Sequence, residues 1–405
     1  MKKVIVIGAG FSGMASAYFL SKKGYEVEVF ERQRAPGGLI RTIQTEWGPC
    51  ETAANGILNS KIFEELALDV GIRLRGTQAL SKRRYIFRGG LKRWPLTIFE
   101  TLAMSLKFIF STKRPREEET VQNWGQRVLG EPATRYLLSP VLQGIYAGDI
   151  SKMSASLILK RFFNKQKKAK PKIRGLVSPE GGMEEFFTKT EKYLKGRGVK
   201  FFYGESSNLE TDQNKSIYVL ATSSKDAAEI LKSRDSELGG ALGSVENLSL
   251  VKVTAFFKNT LREIKGFGVL FPRDQKVSAL GVLFNNFIFD GAKHLLSESF
   301  IYGGALENEA AKFEEAAILR KIKEDRAKVY GGQTNIEGFH LIRWPTTLPH
   351  YTVQLEKKLR NVLPHLDKLE KEGIFVIGNF LGGIGLSQLL ERAAELPRRI
   401  GELHG

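Results

Sequence analysis

Lys3-Val4-Ile5-Val6-Ile7-Gly8-Ala9-Gly10-Phe11-Ser12-Gly13 opens the chain with a short run of β-favouring apolar residues that leads straight into a GxGxxG loop. A run that is apolar without alternation reads as a strand buried in a parallel sheet, covered on both faces. Each loop glycine has its own reason. Gly8 permits the tight turn, Gly10 lets the backbone approach a pyrophosphate, and Gly13 lets the following helix pack closely on the strand. Phosphate then rests on the free N–H groups of the helix N-terminus, with Ser12 in its first turn. The helix is expected to run to about Lys23, with Ala15, Tyr18, Phe19 and Leu20 apolar and Gly24 as its C-terminal cap, and Tyr25 to Phe30 is the second strand. Glu31 ends it, where an acidic side chain accepts hydrogen bonds from adenosine ribose hydroxyls. To this point the unit fits NAD and FAD alike.

Outward from that unit, composition sets bounds. A chain of 405 residues has room for two or three domains, since one core rarely grows past about 250 to 300 residues. Hydrophobic residues at 42% and charged residues at 26% fit a folded protein and exclude wholesale disorder. Lys and Arg number 62 against 44 Asp and Glu, and the net charge of +18 predicts attraction to an anionic partner. The single cysteine, Cys50, excludes a disulfide framework and a Cys-rich metal site, so a reducing compartment, the cytoplasm, is expected. The five histidines never fall at metal-ligand spacing, and no metal is expected. Met1-Lys2-Lys3 with Ala15-Ser16-Ala17 imitates a signal peptide. Three glycines interrupt its apolar core, and the residues beyond Ala17 complete the nucleotide unit too well to be a mature N-terminus. The apolar stretch Ile98 to Phe110 contains Glu100 and Lys107 and is shorter than the roughly 18 to 20 residues that span a bilayer, so no transmembrane helix is expected.

The next residues separate the cofactors. Pro36-Gly37-Gly38-Leu39-Ile40-Arg41-Thr42 resembles the second glycine pair of flavin enzymes in the amine oxidase superfamily, where that extension lies along the FAD diphosphate. Near the other end, Gly373 to Gly378 (GIFVIG) reads as a buried strand, followed by Asn379-Phe380-Leu381-Gly382-Gly383-Ile384-Gly385-Leu386, a glycine-rich turn into a helix. Bare backbone at a helix N-terminus suits the electron-rich edge of a reduced flavin. Pro397 is expected to break or kink that last helix.

Taken with the middle of the chain, these segments resemble the protoporphyrinogen oxidase family, including its coproporphyrinogen-oxidising branch, over nearly the whole length. The most distinctive stretch is Pro140-Val141-Leu142-Gln143-Gly144-Ile145-Tyr146-Ala147-Gly148-Asp149. Arg84-Tyr85-Ile86-Phe87, Pro179-Glu180-Gly181-Gly182-Met183, Gly266 to Pro272 (GFGVLFP), Arg343-Trp344-Pro345 and Leu348-Pro349-His350-Tyr351 follow the family's order. The resemblance implies that Gly8, Gly10, Ser12, Gly13, Glu31, Arg32, Gly38, Leu39, Ala53, Ala54, Asn55 and Gly56 line an FAD, with Asn379, Ile384, Gly385 and Leu386 closing its flavin end. It implies that Arg84 holds a substrate propionate, that Phe267 and Leu270 sandwich a tetrapyrrole, that Ile301 is a further apolar wall and that the Gly144 backbone lies beside the ring. The implied reaction is oxidation of a porphyrinogen in three two-electron steps, with dioxygen as acceptor. Departures are Ala53-Ala54 for the usual Gly-Pro, Phe289-Asp290 where the family has Phe-Pro, Glu391 for a glycine, and a slightly shorter chain. Amine oxidation, carotenoid desaturation, a sugar-nucleotide mutase reaction and a catalytically silent membrane-binding flavoprotein stay open as alternatives, as do homodimerisation and the choice of porphyrinogen.

The expected organisation is an α/β, Rossmann-type FAD domain (1–80, 175–245, 365–405), a mixed α+β substrate domain (81–95, 246–364) and a helical, membrane-associating subdomain (96–174). The alternating run Leu248 to Phe257 and the stretch Glu298 to Tyr302 read as strands of an antiparallel sheet over the flavin. The first helix of the insert puts Ile98, Leu102, Leu106 and Ile109 on one stripe, with Phe99, Ala103 and Phe110 beside it. Lys160, Arg161, Lys165, Lys167, Lys168, Lys170, Lys172 and Arg174 form a basic run without an acid. Together these predict peripheral docking on an anionic membrane. Nucleic acid is not expected, because no binding module accompanies the charge.

Overall fold

The expected first strand, Lys3–Ile7, lies at the centre of a five-stranded parallel sheet ordered Lys200–Tyr203, Glu26–Glu31, Lys3–Ile7, Ile217–Leu220, Ile374–Val376. The structure, a computed structural model, describes all residues except 1, 164–168, 208, 210–215, 259–263, 290–294 and 333–334. Helix Phe11–Lys22 is buried on nearly every side because it is wedged between this sheet and the last helix, Leu386–His404. Phe186 and Phe187, from helix Glu184–Gly196, fill the same core. The opposite sheet face is covered by helices Ser224–Leu231, Ser236–Gly243 and Val353–Lys371. Of the expected break or kink at Pro397, a break does not occur: the last helix runs on to His404. Leu396, Pro397 and Ile400 are all buried there, and that packing compensates for the missing amide hydrogen bond.

The second sheet has seven strands in the order Gly338–Pro349, Asn247–Phe257, Leu296–Gly303, Gly281–Phe284, Gly268–Leu270, Arg84–Phe87, Leu91–Lys92. Neighbours are antiparallel except Gly268–Leu270 with Arg84–Phe87, which run parallel. Side chains alternate across a sheet with period two, and one face here packs Val251, Val253, Phe300, Val282 and Val269 against helix Glu315–Tyr330. The Arg326 guanidinium of that helix is fully buried, bonds Glu298 at 3.0 Å and stacks on Phe257 and Tyr330. The other face looks toward the Rossmann-type sheet. Between them lie the hairpin Thr42–Thr45 and Gly48–Glu51 and the segment Thr52–Gly56 that continues from it.

The insert between the domains is helical: Ile98–Phe110, Val121–Val128, a π-helical turn Thr134–Leu138, Ser139–Tyr146 and Ala155–Phe163. Helix Ile98–Phe110 is fixed by a capping box of Thr97 and Glu100 and by a two-armed Arg88–Glu100 pair at 2.7 and 2.9 Å, yet none of its residues is buried. Phe99 and Phe110 are 84% and 83% exposed, and Ile98, Leu102, Leu106 and Ile109 are exposed as well. Among the described residues no helix is long and apolar enough to cross a membrane. Lys165, Lys167 and Lys168 of the basic run lie outside the described residues; Lys170, Lys172 and Arg174 are exposed.

Candidate functional site

The loop after the first strand is closed at two glycines and open at the third. Gly8 has φ +101°, and a Cβ there would sit 2.7 Å from the Ala221 carbonyl oxygen; a Cβ on Gly13 would sit 1.8 Å from that of Gly8. Both are demanded by the protein's own packing. A Cβ on Gly10 would meet nothing within 4 Å. That space is what a diphosphate needs, and Gly38 (φ +60°) lies just across it, with a Cβ there 3.4 Å from the Gly10 Cα. The Gly37 amide donates to the Ala9 carbonyl at 3.0 Å, so the two glycine pairs that are separate in sequence form one cradle. Glu31 accepts from the Ala9 and Gln33 amides at 2.7 and 2.8 Å. A carboxylate has about four acceptor sites, so capacity remains for ribose hydroxyls. Arg32 points outward and pairs with Asp226 at 3.2 Å. Leu39 adjoins the cradle, its carbonyl held by the Thr52 hydroxyl at 2.7 Å. The donor set and open cradle fit FAD.

Ala53, Ala54, Asn55 and Gly56 cross the second sheet's inner face. Gly56 is a packing glycine, since a Cβ there would be 2.6 Å from the Val177 carbonyl oxygen. At the far end Gly385 caps the last helix, and the Gln388 side chain folds back toward it and Gly383. Asn379, Ile384 and Leu386 border this turn. Two residues to which sequence reasoning gave no site role hold it. Arg392 donates to the Gly378 and Leu381 carbonyls at 2.9 and 2.7 Å. The Tyr351 hydroxyl donates to the Asn379 carbonyl and accepts from the Gly383 amide. Beside it, buried His350 uses one ring nitrogen toward Glu246 and the other to accept the Asp149 amide at 3.2 Å, so two distant segments of the resemblance meet.

Strand register gathers the substrate candidates. Following paired residues across the sheet, Ile86, Leu270, Gly281, Ile301, Lys252 and Ile342 form one row on the inner face, and Arg84, Gly268, Leu283, Ser299, Thr254 and His340 form the next. Arg84 is exposed at one margin, its guanidinium 4.9 Å from the Phe267 ring centre, and among the described residues no carboxylate pairs with it. Leu270 lies between two glycines: a Cβ on Gly144 would be 2.5 Å, and on Gly281 2.9 Å, from its Cδ2. The Gly144 backbone therefore packs directly on the row.

Lys252 is the residue that sequence reading missed. It is 7% exposed, and its Nζ donates to the Ala53 carbonyl at 2.9 Å and to Asn55 Oδ1 at 2.6 Å. Asn55 passes the network on to Asn285, whose amide bonds Ser297 and Ser299. Burial pulls the Lys252 ammonium down to about 8, against the opposing pull of Glu51. Burial raises the Glu51 carboxyl and pushes the Cys50 thiol up to about 11, which leaves Cys50 an inert filler. The available signal was the one charged residue in strand Asn247–Phe257. Among the described residues no group of His, Cys, Asp and Glu is arranged to hold a metal ion.

The fold and the cradle have known counterparts. Residues 6–67 match the family model of the NAD(P)-binding Rossmann-like domain. Over nearly the full length the chain is similar to the mitochondrial protoporphyrinogen oxidase of Nicotiana tabacum, at 25% identity over 96% of this chain and 92% of that one. It is similar also to the protoporphyrinogen oxidase of Bos taurus, at 22% identity over 98% of each. Among solved structures, one from Exiguobacterium sp. 255-15, provisionally described as a protoporphyrinogen oxidase, superimposes with a TM-score of 0.79 at 17% identity over 98% of both chains. A reduced UDP-galactopyranose mutase gives 0.77 at 14% identity over 100% of this chain and 94% of that one, which shows how widely the fold is shared. The chain is an FAD-dependent oxidoreductase that resembles the protoporphyrinogen oxidases along nearly its whole length.

Proposed function

We propose that this protein oxidises a porphyrinogen, protoporphyrinogen or coproporphyrinogen, with dioxygen as the final acceptor. The observation that carries the reading is the inner-face row: a flat apolar floor of Ile86, Leu270 and Ile301, opened by Gly281 and bordered by an arginine without a carboxylate partner among the described residues. A porphyrinogen is a flat apolar ring whose strong handles are carboxylates, and the planar fork of arginine donates two parallel hydrogen bonds to one. In this reading Arg84 fixes the ring edge, Phe267 braces the guanidinium, and Leu270, Ile301 and the Gly144 backbone define the ring's plane. Bound FAD supplies the hydride acceptor, so the chain needs to position its substrate more than to attack it. Gly8, Gly10, Ser12, Gly13, Glu31, Gly38, Leu39, Ala53, Ala54, Asn55 and Gly56, with Asn379, Ile384, Gly385 and Leu386, are the residues that would hold it.

Helix Ile98–Phe110 is the second element of the proposal. Its exposed apolar surface, flanked by exposed Lys92, Arg93, Lys107, Lys113 and Arg114, suits peripheral contact with an anionic bilayer. Such contact gives a sparingly soluble substrate a local source. The test of function is anaerobic mixing of the purified yellow protein with each porphyrinogen, followed by air. Bleaching of the flavin band and then porphyrin fluorescence are expected. A flavin that neither porphyrinogen bleaches, but that an amine or a sugar nucleotide perturbs, overturns the reading.

A further inference from the structure

We propose that Lys252 is the proton acceptor of this site: its amine, tied to Ala53 and Asn55, takes the proton that leaves a substrate N–H as hydride leaves the adjoining carbon. The inference rests on the porphyrinogen reading and assigns that site a residue for its proton.

Position is the first argument. Lys252 stands in the same row as Ile301, Gly281 and Leu270, four strands in from the strand of Arg84. At about 4.8 Å per strand the strands that carry the two residues are separated across the sheet by roughly 19 Å. A ring anchored by its carboxylate at Arg84 and lying along the row is therefore directed at Lys252. Bonding is the second argument. Both partners of Nζ are neutral acceptors, and among the described residues no carboxylate lies within ion-pair distance of it. An uncharged amine has two N–H bonds, which satisfy those two acceptors and leave its lone pair free. The surrounding groups leave that lone pair available. Glu51 and the Cys50 thiol are the titratable groups that act on it, with Cys50 held as a thiol. His340, one row along on the adjacent strand, is kept neutral by burial. With the ammonium lowered to about 8, both forms are populated near neutral pH, which is what a general base requires.

The step balances. The C–H bond of the methylene bridge breaks and its hydrogen leaves as hydride to the oxidant, a bound flavin. The pyrrole N–H bond breaks, its electron pair closes the new double bond to the bridge carbon, and the proton forms the third Nζ–H bond. Lys252 then returns the proton to solvent before the next two-electron step.

The test uses FAD-loaded Lys252→Met and Lys252→Arg beside the wild type, with flavin content and Tm measured first. Arginine keeps the tie to Ala53 and Asn55 but cannot accept a proton near neutral pH. In anaerobic stopped flow with protoporphyrinogen, wild-type bleaching is expected to rise with pH to a plateau above about 8. Both variants should fall by about 100-fold, the scale of general-base catalysis, and lose that pH dependence. Without substrate, the resting flavin absorbance should show a pH transition near 8 in the wild type that both variants lack. Recovery of rate and pH profile by Lys252→Arg identifies a merely structural tie and overturns the proposal, as does a wild-type flavin band indifferent to pH. A wild-type flavin that porphyrinogen does not bleach overturns the substrate reading itself, a result distinct from a bleached flavin with an unaltered Lys252→Met profile.

Discussion

Replacing Arg84 with alanine separates the stability of the protein from recognition of its substrate. In the free protein the guanidinium has one contact of note, the Phe267 ring at 4.9 Å, and it is exposed. An exposed cation–π contact contributes about 0.5 to 1 kcal/mol, so the expected loss of stability is below about 1 kcal/mol. Binding is different, because a substrate carboxylate against this arginine takes both charges partly out of water. Truncating one partner of a desolvated pair costs roughly 2 to 5 kcal/mol. The margin position argues for the lower half of that range, about 2 to 3 kcal/mol, or a loss of roughly 30- to 150-fold in kcat/KM. Arg83→Ala is the internal control. Its side chain is exposed, and its carbonyl still accepts the Phe267 amide after substitution. Steady-state kinetics with a dicarboxylic porphyrinogen, flavin content and Tm on both variants provide the assay. Equal small effects in the two variants, or loss of flavin in Arg84→Ala, would refute the assigned role.

Gly10→Val should fold with its Tm in the FAD-free form unchanged but emerge colourless, because its Cβ meets only open space in the protein; Gly13→Ala, with a Cβ 1.8 Å from the Gly8 carbonyl oxygen, should instead lose stability. Phe99→Asp with Phe110→Asp should abolish flotation with anionic liposomes while leaving turnover in detergent intact, and flotation indifferent to both salt and these changes would remove the docking role. Arg88, with help from the Thr97 amide, holds the Glu100 carboxyl down to about 2. Because that carboxyl is depressed when folded, its contribution is complete above the ordinary carboxylate range and is lost as pH falls toward about 2. Pepsin should therefore spare helix Ile98–Phe110 at the upper end of this window and cut it at the lower end in the wild type, but cut it throughout in Arg88→Ala.

The dinucleotide unit was legible because its physics is local: strand, glycines, helix and Glu31 succeed one another within a single supersecondary unit. The α/β class came with it. The row on the second sheet was not legible, because it depends on a parallel pairing of Arg84–Phe87 with Gly268–Leu270, far apart in the chain, and no local pattern encodes such a register. Lys252 was hidden for the same reason. It reads only as the one charged residue of its strand, and the crossing of Ala53 to Asn55 over that face is what reveals its partners. Pro397 shows a local rule overridden by packing, since it is buried together with Leu396 and Ile400. The helix Ile98–Phe110 was legible from its apolar stripe, but that none of its residues is buried is a tertiary fact that no local pattern encodes.

His350 and Tyr351 are consecutive, and each grips a different part of the molecule: one the loop after helix Ser139–Tyr146, the other the glycine turn that opens the last helix. Adjacent residues on a trans backbone cannot separate by more than about 3.8 Å between Cα atoms, so the pair acts as a stiff mechanical coupling with almost no slack. A displacement of the loop after helix Ser139–Tyr146 would reach the far glycine turn through this pair. The segment after Gly144 and the turn that opens the last helix are thereby tied to each other across one peptide unit.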